Sequence, residues 1–133
     1  MANVKVKGIH HIAIKAKGLE EFDRTIDFYS NLLGMPVVRE WGEGIKKGVM
    51  VDTGAGLLEI FANGDDIPPT SLLRHIAFEV ENTDACVERV RNAGYKITME
   101  PNDIVIGSVP PLPARIAFCI GPVGEEVEFF ELK

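Results

Sequence analysis

The sequence predicts an α+β fold made of two tandem βαβββ modules, in which each module runs strand, helix, strand, strand, strand. Two observations carry this prediction. The periodicities and turn residues of these five elements occur once and then begin again. The strand "HHIAIKA" also returns as "RHIAFEV", about 64 residues later when counted from His11 to His75. A repeat of this kind indicates an architecture more firmly than the propensities of single segments do.

The first module is placed at about residues 8–61. It begins with the alternating strand "GIHHIAIKA", and a helix follows that ends at Gly34, a residue suited to a C-terminal cap. The apolar residues of this helix recur at helical spacing: Phe22, Ile26, Tyr29 and Leu33. Three strands are predicted next, separated by glycines that suit turns: "MPVVREW", "KKGVMVDT" and "GLLEIF". A turn-rich linker is placed at 62–71.

The second module is placed at about residues 72–132 and repeats the order. Its predicted elements are the strand "LLRHIAFEV", a helix ending at Gly94, and the strands "YKITMEP", "ARIAFCIG" and "EEVEFFEL". Residues 104–113 are expected to be irregular, because a glycine and three prolines oppose a regular helix or a central strand. The apolar residues of this segment are expected to pack at a dimer interface or over the end of the sheet, or else to form a flap over the site.

Composition limits the classes of function. The chain has 133 residues, 46% of them hydrophobic and 26% charged, which is typical of one globular domain. The 20 acidic residues outnumber the 14 basic ones and no basic cluster stands out, so nucleic-acid binding is not expected. No apolar run approaches a membrane span and no signal-type segment is visible, so a cytoplasmic protein is expected. Cys86 and Cys119 lack metal-type spacing and are predicted to be small core residues in a reducing compartment.

The faces of the two repeated strands identify a pair of histidines. Successive side chains of a strand point to opposite faces. In both copies one face is apolar and suits a covering helix, whereas the other has the order His, Ala, charged: His11 and Ala13 in the first copy, His75 and Ala77 in the second. The small alanine leaves space in front of the imidazole, as a ligand site requires. His11 and His75 are therefore the candidate pair, and His10 is expected on the other face.

The last strand of each module adds a glutamate, Glu59 in "LLEIF" and Glu128 in "EVEFFEL". An ionised carboxylate among apolar residues is unfavourable unless a positive group meets it. Together with His11 and His75, the two glutamates form a set that suits a divalent transition metal, Ni, Co, Zn, Mn or Fe. Taken singly, a strand histidine is more often structural, and such a glutamate usually lies at a sheet edge or bonds an arginine. Matching positions in a duplicated unit favour metal binding.

These motifs, with "FYSNLLGM" and "GEEVEFFE", resemble the vicinal-oxygen-chelate superfamily over about residues 8–132. This superfamily includes glyoxalase I and methylmalonyl-CoA epimerase. The resemblance implies a cupped, barrel-like mixed β-sheet with helices on its outer face and a metal on its concave face. The implied metal ligands are His11, Glu59, His75 and Glu128. The resemblance also implies a homodimer in which two chains share the metal site.

A set of two histidines and two glutamates resembles bacterial glyoxalase I and some epimerases, which move a proton next to a carbonyl group. The resemblance implies Glu128 as the catalytic base, with Glu59 as the second candidate. It implies Lys15 as a substrate-binding residue, at a position where glyoxalase I typically has arginine. Asn63 resembles an asparagine that contacts glutathione. The turn "GPVGE" replaces the usual "DPDGN" of the family.

The expected activity is therefore that of a metal-dependent lyase or isomerase of the glyoxalase I type. Its substrate would be a small 2-oxo-derived or thioester compound, such as a thiol or CoA conjugate. Three alternatives stay open: an epimerase like methylmalonyl-CoA epimerase, a metal-free binding protein of the bleomycin-resistance kind, and a dioxygenase or thiol transferase that uses three ligands.

Overall fold

The computed structural model describes residues 9–65, 75–106, 108 and 110–133. The strands of the first half are β1 (His11–Lys15), β2 (Val37–Trp41), β3 (Gly48–Asp52) and β4 (Leu57–Phe61). The strands of the second half are β5 (Ile76–Glu79), β6 (Ile97–Ile106), β7 (Leu112–Ile120) and β8 (Glu126–Leu132). The helices are α1 (Gly18–Ile26), which continues as a π-helix over Asp27–Leu32, a 3₁₀ turn (Gly44–Lys46) and α2 (Thr83–Asn92).

The strands form two four-stranded sheets with the same topology, in the orders β1-β4-β3-β2 and β5-β8-β7-β6. In each sheet the first and last strands of the module pair in parallel, and the other pairs are antiparallel. The predicted α+β fold with two βαβββ modules is confirmed. Among the described residues the two sheets do not join into a closed barrel. Of the predicted linker and the start of module two, residues 66–74 lie outside the described residues.

Both helices end where the sequence predicts. Gly34 and Gly94 have φ angles of 79° and 93°, in the left-handed region that glycine adopts without strain. Helix α2 begins with an N-cap, because the side chain of Asn82 accepts a hydrogen bond of 2.9 Å from the amide of Ala85. None of the helices described is long and apolar enough to cross a membrane.

The π-helix places two consecutive aromatic residues against the second module. Phe28 and Tyr29 are both fully buried. The ring of Phe28 lies 4.6 Å from that of Tyr95, and the ring of Tyr29 lies 6.1 Å from that of Phe78. The hydrophobic core is consequently continuous, with buried residues from both modules in one cluster between the helices and the sheets. None of the helices described covers the opposite face of each sheet, which is called the open face below.

The prediction of an irregular segment at 104–113 is wrong at both of its ends. Strands β6 and β7 form a long hairpin in which Ile104 pairs with Ala114 and Ile106 with Leu112. The prolines do not interrupt the pairing, because Pro110 and Pro111 lie in the connection between β6 and β7, and Pro113 lies near the start of β7, where it pairs with Val105. Ile106 and Leu112 are 39% and 38% exposed. Their predicted role at a dimer interface or in a flap stays a prediction.

Both cysteines are free, as predicted. Cys119 is fully buried in the core, and Cys86 is partly buried and packs against it. Burial raises the pKa of the Cys119 thiol to about 12 and raises that of Cys86 as well. Neither thiol therefore has the low pKa that a nucleophilic cysteine requires.

A partly buried hydrogen bond joins the two modules on the helix side. The hydroxyl of Tyr29 donates to Oε2 of Glu125 at 2.7 Å, and the amide of Val123 donates to Oε1 at 2.9 Å. Burial raises the pKa of the Glu125 carboxyl above its ordinary value of 4.5, and these two hydrogen bonds offset part of that effect. The folded state therefore binds this proton more tightly than the unfolded state does.

The raised pKa predicts a pH dependence of stability. The contribution of Glu125 to the free energy of unfolding is largest below its unfolded pKa near 4.5, and it falls as the pH rises from there to the folded pKa. Glu125→Gln keeps an acceptor for Tyr29 but cannot ionise, so we expect a smaller fall in stability over this range. Urea unfolding at a series of pH values measures the fall in the free energy of unfolding. Glu43→Gln, in an exposed loop, is the control. An equal pH dependence in wild type and Glu125→Gln would contradict the prediction.

Candidate metal centre

In module one, strand register brings His11 and Glu59 together on the open face. The parallel pairing of β1 with β4 sets Glu59 opposite Ala13, two residues beyond His11. Paired residues project from the same face, and so do residues two apart in a strand. The small Ala13 leaves room between the two longer side chains. Nε2 of His11 lies 3.6 Å from Oε1 of Glu59.

Module two repeats this arrangement. Pairing of β5 with β8 sets Glu128 opposite Ala77, two residues beyond His75, and Nε2 of His75 lies 3.2 Å from Oε1 of Glu128. The imidazole of His75 also meets the ring of Phe118 edge-on, at 5.6 Å between centroids. The two modules thus hold equivalent His–Glu pairs in the same register.

The glutamates are much less accessible than the histidines. The side chains of Glu59 and Glu128 are 13% and 10% exposed, against 41% for His11 and 42% for His75. Burial raises the pKa of the Glu128 carboxyl; the nearby His75 lowers it in part, and Glu126 raises it. Each carboxylate is therefore partly desolvated, with an imidazole beside it.

The donor atoms fit a divalent metal. Imidazole nitrogen and carboxylate oxygen are ligands for first-row transition ions such as Zn, Ni and Fe. Two such ligands at 2.0–2.2 Å from one ion lie about 3.0 to 3.4 Å apart in tetrahedral or octahedral geometry. The observed Nε2–Oε1 separations of 3.6 and 3.2 Å are close to this spacing.

The four predicted ligands form two pairs and not one cluster within the chain. Among residues 9–65, 75–106, 108 and 110–133, no three His, Cys, Asp or Glu side chains come close enough together to hold a metal ion. The chain therefore brings His11 to Glu59 and His75 to Glu128. That all four share one coordination shell stays a prediction.

His10 lies just before β1, which begins at His11, and its predicted place on the opposite face stays a prediction. Its Nδ1 lies 2.9 Å from Nδ1 of His11, within hydrogen-bonding distance, and the two rings meet edge-on. When His11 is the donor in this hydrogen bond, its Nε2 keeps a lone pair on the side of Glu59.

The predicted substrate-binding residues lie at the end of the open face beyond Glu59. Lys15 is the last residue of β1 and shares the face of His11. Asn63 follows β4 and forms an isolated bridge with Lys17. Both Lys15 and Asn63 are exposed.

The structure adds residues to the open face that sequence reasoning missed. In module one Met50 is the partner of Glu59, and Arg39 is the partner of Met50. In module two Phe118 is the partner of Glu128, and Met99 is the partner of Phe118. Register shifts in β2 and β6 decide the faces of Arg39 and Met99, and simple alternation does not reveal such shifts.

Comparisons with known proteins identify the family and the fold. A family model described as the Glyoxalase/Bleomycin resistance protein/Dioxygenase superfamily matches residues 8–110. The lactoylglutathione lyase of Neisseria meningitidis serogroup B is 29% identical over 131 residues, which cover 92% of this chain and 89% of that protein. The trypanothione-dependent glyoxalase I of Leishmania major has a TM-score of 0.69 at 26% identity, covering 91% of this chain and 84% of that one. TnmS3, an antibiotic binding protein from Streptomyces sp. CB03234, has a TM-score of 0.74 at 15% identity and covers 98% of this chain and all of its own, so it shares the fold.

Proposed function

Because this chain belongs to the glyoxalase/bleomycin resistance protein/dioxygenase superfamily, we propose that it is a metal-dependent lyase or isomerase that moves a proton next to a carbonyl group. Its substrate would be a small 2-oxo-derived or thioester compound, such as a thiol conjugate. The observation that carries the proposal is the pair of equivalent His–Glu sets, with donor atoms 3.6 and 3.2 Å apart. The lactoylglutathione lyase relative supports this reaction type.

The metal site would be shared between two copies of the chain. Each module supplies two ligands, and no three candidate ligands cluster within the described residues of one chain. A two-fold symmetric homodimer can bring His11 and Glu59 of one copy against His75 and Glu128 of the other. The same symmetry operation creates a second, identical site. Every chain would then contribute one half of each site.

Within such a site the two glutamates have different roles. A bound divalent metal supplies Lewis-acid stabilisation of the negative charge that develops on the substrate oxygens. Glu128 takes the proton from the carbon next to the carbonyl group and returns it to the neighbouring carbon, so no other reactant is consumed. Burial raises the pKa of the Glu128 carboxyl above its ordinary value, which makes this carboxylate a better proton acceptor. Glu59 is the second candidate for this role.

Complementation of half-sites tests the shared site. One variant carries His11→Ala with Glu59→Ala, and the other carries His75→Ala with Glu128→Ala. Neither variant alone forms a complete site in its homodimer. After the two are unfolded together and refolded at equal concentrations, half of the dimers are mixed, and each mixed dimer has one intact site. We expect about a quarter of the wild-type metal content to return, measured by elemental analysis.

The control is each variant refolded alone, which should contain no stoichiometric metal. No recovery on mixing, although mixed dimers form, would contradict the shared site. A stable monomer with full metal occupancy in light scattering would contradict it as well. Lactoylglutathione lyase activity, measured on the same samples, should follow the metal content.

Glutamine substitutions separate the roles of the glutamates. Glu128→Gln keeps an oxygen ligand but removes the base, so we expect kcat to fall about a hundredfold or more while metal content is largely retained. Glu59→Gln should lower kcat much less. Exchange of the substrate proton with solvent deuterium, followed by NMR, should be lost in Glu128→Gln. The opposite ranking of the two variants would assign the base to Glu59.

Glu59→Ala separates the alternative functions. A four-ligand lyase should lose both metal affinity and activity in this variant. An enzyme that uses three ligands should keep its metal and its turnover. A metal-free binding protein should contain no stoichiometric metal even as wild type. Elemental analysis of the two proteins distinguishes these outcomes.

His10 provides a test of the orientation of His11. Removing the hydrogen-bond partner of a metal-ligating histidine typically weakens metal binding 10- to 100-fold. We expect a loss of this size for His10→Ala, measured by competition with a chelator. His10→Asn keeps an acceptor oxygen and should recover part of the affinity. Equal affinities in all three proteins would show that the 2.9 Å contact does not orient His11.

A further inference from the structure

The two open faces have the same metal-ligand pairs but different surroundings. A row of paired residues crosses module one from Ala13 through Glu59 and Met50 to Arg39. The equivalent row crosses module two from Ala77 through Glu128 and Phe118 to Met99. The rows agree at the alanine and the glutamate. They differ at the end, where an arginine in one module corresponds to a methionine in the other.

Arg39 differs from the other arginines of the protein. The structure describes five arginines, and Arg39 alone among them has no hydrogen bond or ion pair with a described residue. The other four each donate to an oxygen: Arg24 to Pro122, Arg89 to Leu32, Arg91 to Glu100 and Arg115 to Asp84. Arg39 is also exposed, so its guanidinium is available to a ligand.

The residues beside Arg39 form an apolar surface. Trp41 lies two residues further along β2, on the same face. Its indole lies across Gly48, where a Cβ atom would have no room, and its ring is 6.0 Å from that of Phe61. An arginine at the edge of such a surface can bind an anionic group while the remainder of the ligand packs on the aromatic rings.

The charges on the two open faces also favour binding of an anion at module one. Its open face carries the cationic Lys15 and Arg39, which balance the acidic Glu59 and Asp52. On the open face of module two, the described residues of strands β5–β8 include Glu79, Glu126 and Glu128 and no lysine or arginine; Lys96 lies just before β6. The open face of module one is therefore less negative than that of module two, and an anionic ligand group is favoured on module one, beside Arg39.

We propose that Arg39 binds an anionic tail of the substrate, a carboxylate or a phosphate, at a subsite separate from the candidate metal ligands. Arg39 lies two strands from Glu59, a distance of about 10 Å between Cα atoms at ordinary strand spacing. The anion is therefore a remote part of the substrate and not the reacting carbonyl. This inference rests on the proposed function, and it narrows the substrate class to carbonyl compounds or their conjugates with a negatively charged tail.

Binding of matched 2-oxo acids tests the proposal. 2-Oxopentanoate, 2-oxoglutarate and 2-oxo-4-phosphonobutanoate share the same 2-oxo acid head, but their tails are neutral, carboxylate and phosphonate respectively. We expect wild-type protein, studied by calorimetry, to bind at least one anionic-tailed ligand about tenfold more tightly than the neutral one. The ligand that shows the preference identifies the anion as a carboxylate or a phosphate.

The variant Arg39→Met gives module one the residue that module two has at this position. It should remove the preference without changing metal content, and Arg39→Lys should keep part of it. Arg91→Met, on the outer helix, is the matched control and should bind like wild type. The proposal is overturned if wild type shows no preference for either anionic tail, or if the preference survives in Arg39→Met.

Binding of the same ligands to metal-free protein separates this inference from the proposed function. A protein that contains no metal contradicts the proposed function. Its anionic-tail preference and the loss of that preference in Arg39→Met can still be measured. Conversely, a metal-loaded protein that turns over a substrate but shows no tail preference supports the function and overturns the role of Arg39.

Discussion

The parallel pairing between the first and last strands of each module is the constraint on which the candidate site depends. Its register sets each glutamate opposite an alanine, so that the carboxylate lies beside the histidine two residues earlier. A shift by one residue would move Glu59 or Glu128 to the helix-covered face, where an ionised carboxylate would be buried among apolar side chains. The strand register therefore determines both the spacing of the candidate metal ligands and the partial burial of the carboxylates. It does so in both modules.

The contacts that join the modules lie on the side of the sheets opposite to this site. Phe28 and Tyr29 reach the second module from the π-helix, and the hydroxyl of Tyr29 donates a hydrogen bond to the partly buried Glu125. The hydrophobic core therefore stabilises the chain without using the open faces. Those faces keep exposed polar side chains that the fold itself does not need. This division leaves the open faces available for the pairing between copies that the proposed shared site requires.

Much of this arrangement was predictable, because the repeat fixed the order of elements and short regular strands obey alternation. His11, Glu59, His75 and Glu128 all lie in or beside strands whose registers with their parallel partners have no shift. Alternation gives no face for a residue that precedes its strand, and it fails where a strand contains a bulge. His10 precedes its strand, Arg39 follows a register shift in β2, and residues 104–106 continue a strand beyond the shift at Pro101. Such features depend on pairing with distant residues, which local patterns do not specify.

The differences between the two modules make the proposed site asymmetric. If the two halves were identical, a substrate could bind in two opposite orientations, and either glutamate could meet the reacting carbon. The halves are not identical: Glu128 has a carboxyl pKa raised by burial, and its row ends in Phe118 and Met99, whereas the row of Glu59 ends in Arg39. In the proposed site, Arg39 would bind the anionic end of an asymmetric ligand, and Phe118 and Met99 would contact its apolar end. That binding would select one orientation of the ligand, and the orientation would decide which carboxylate acts as the base.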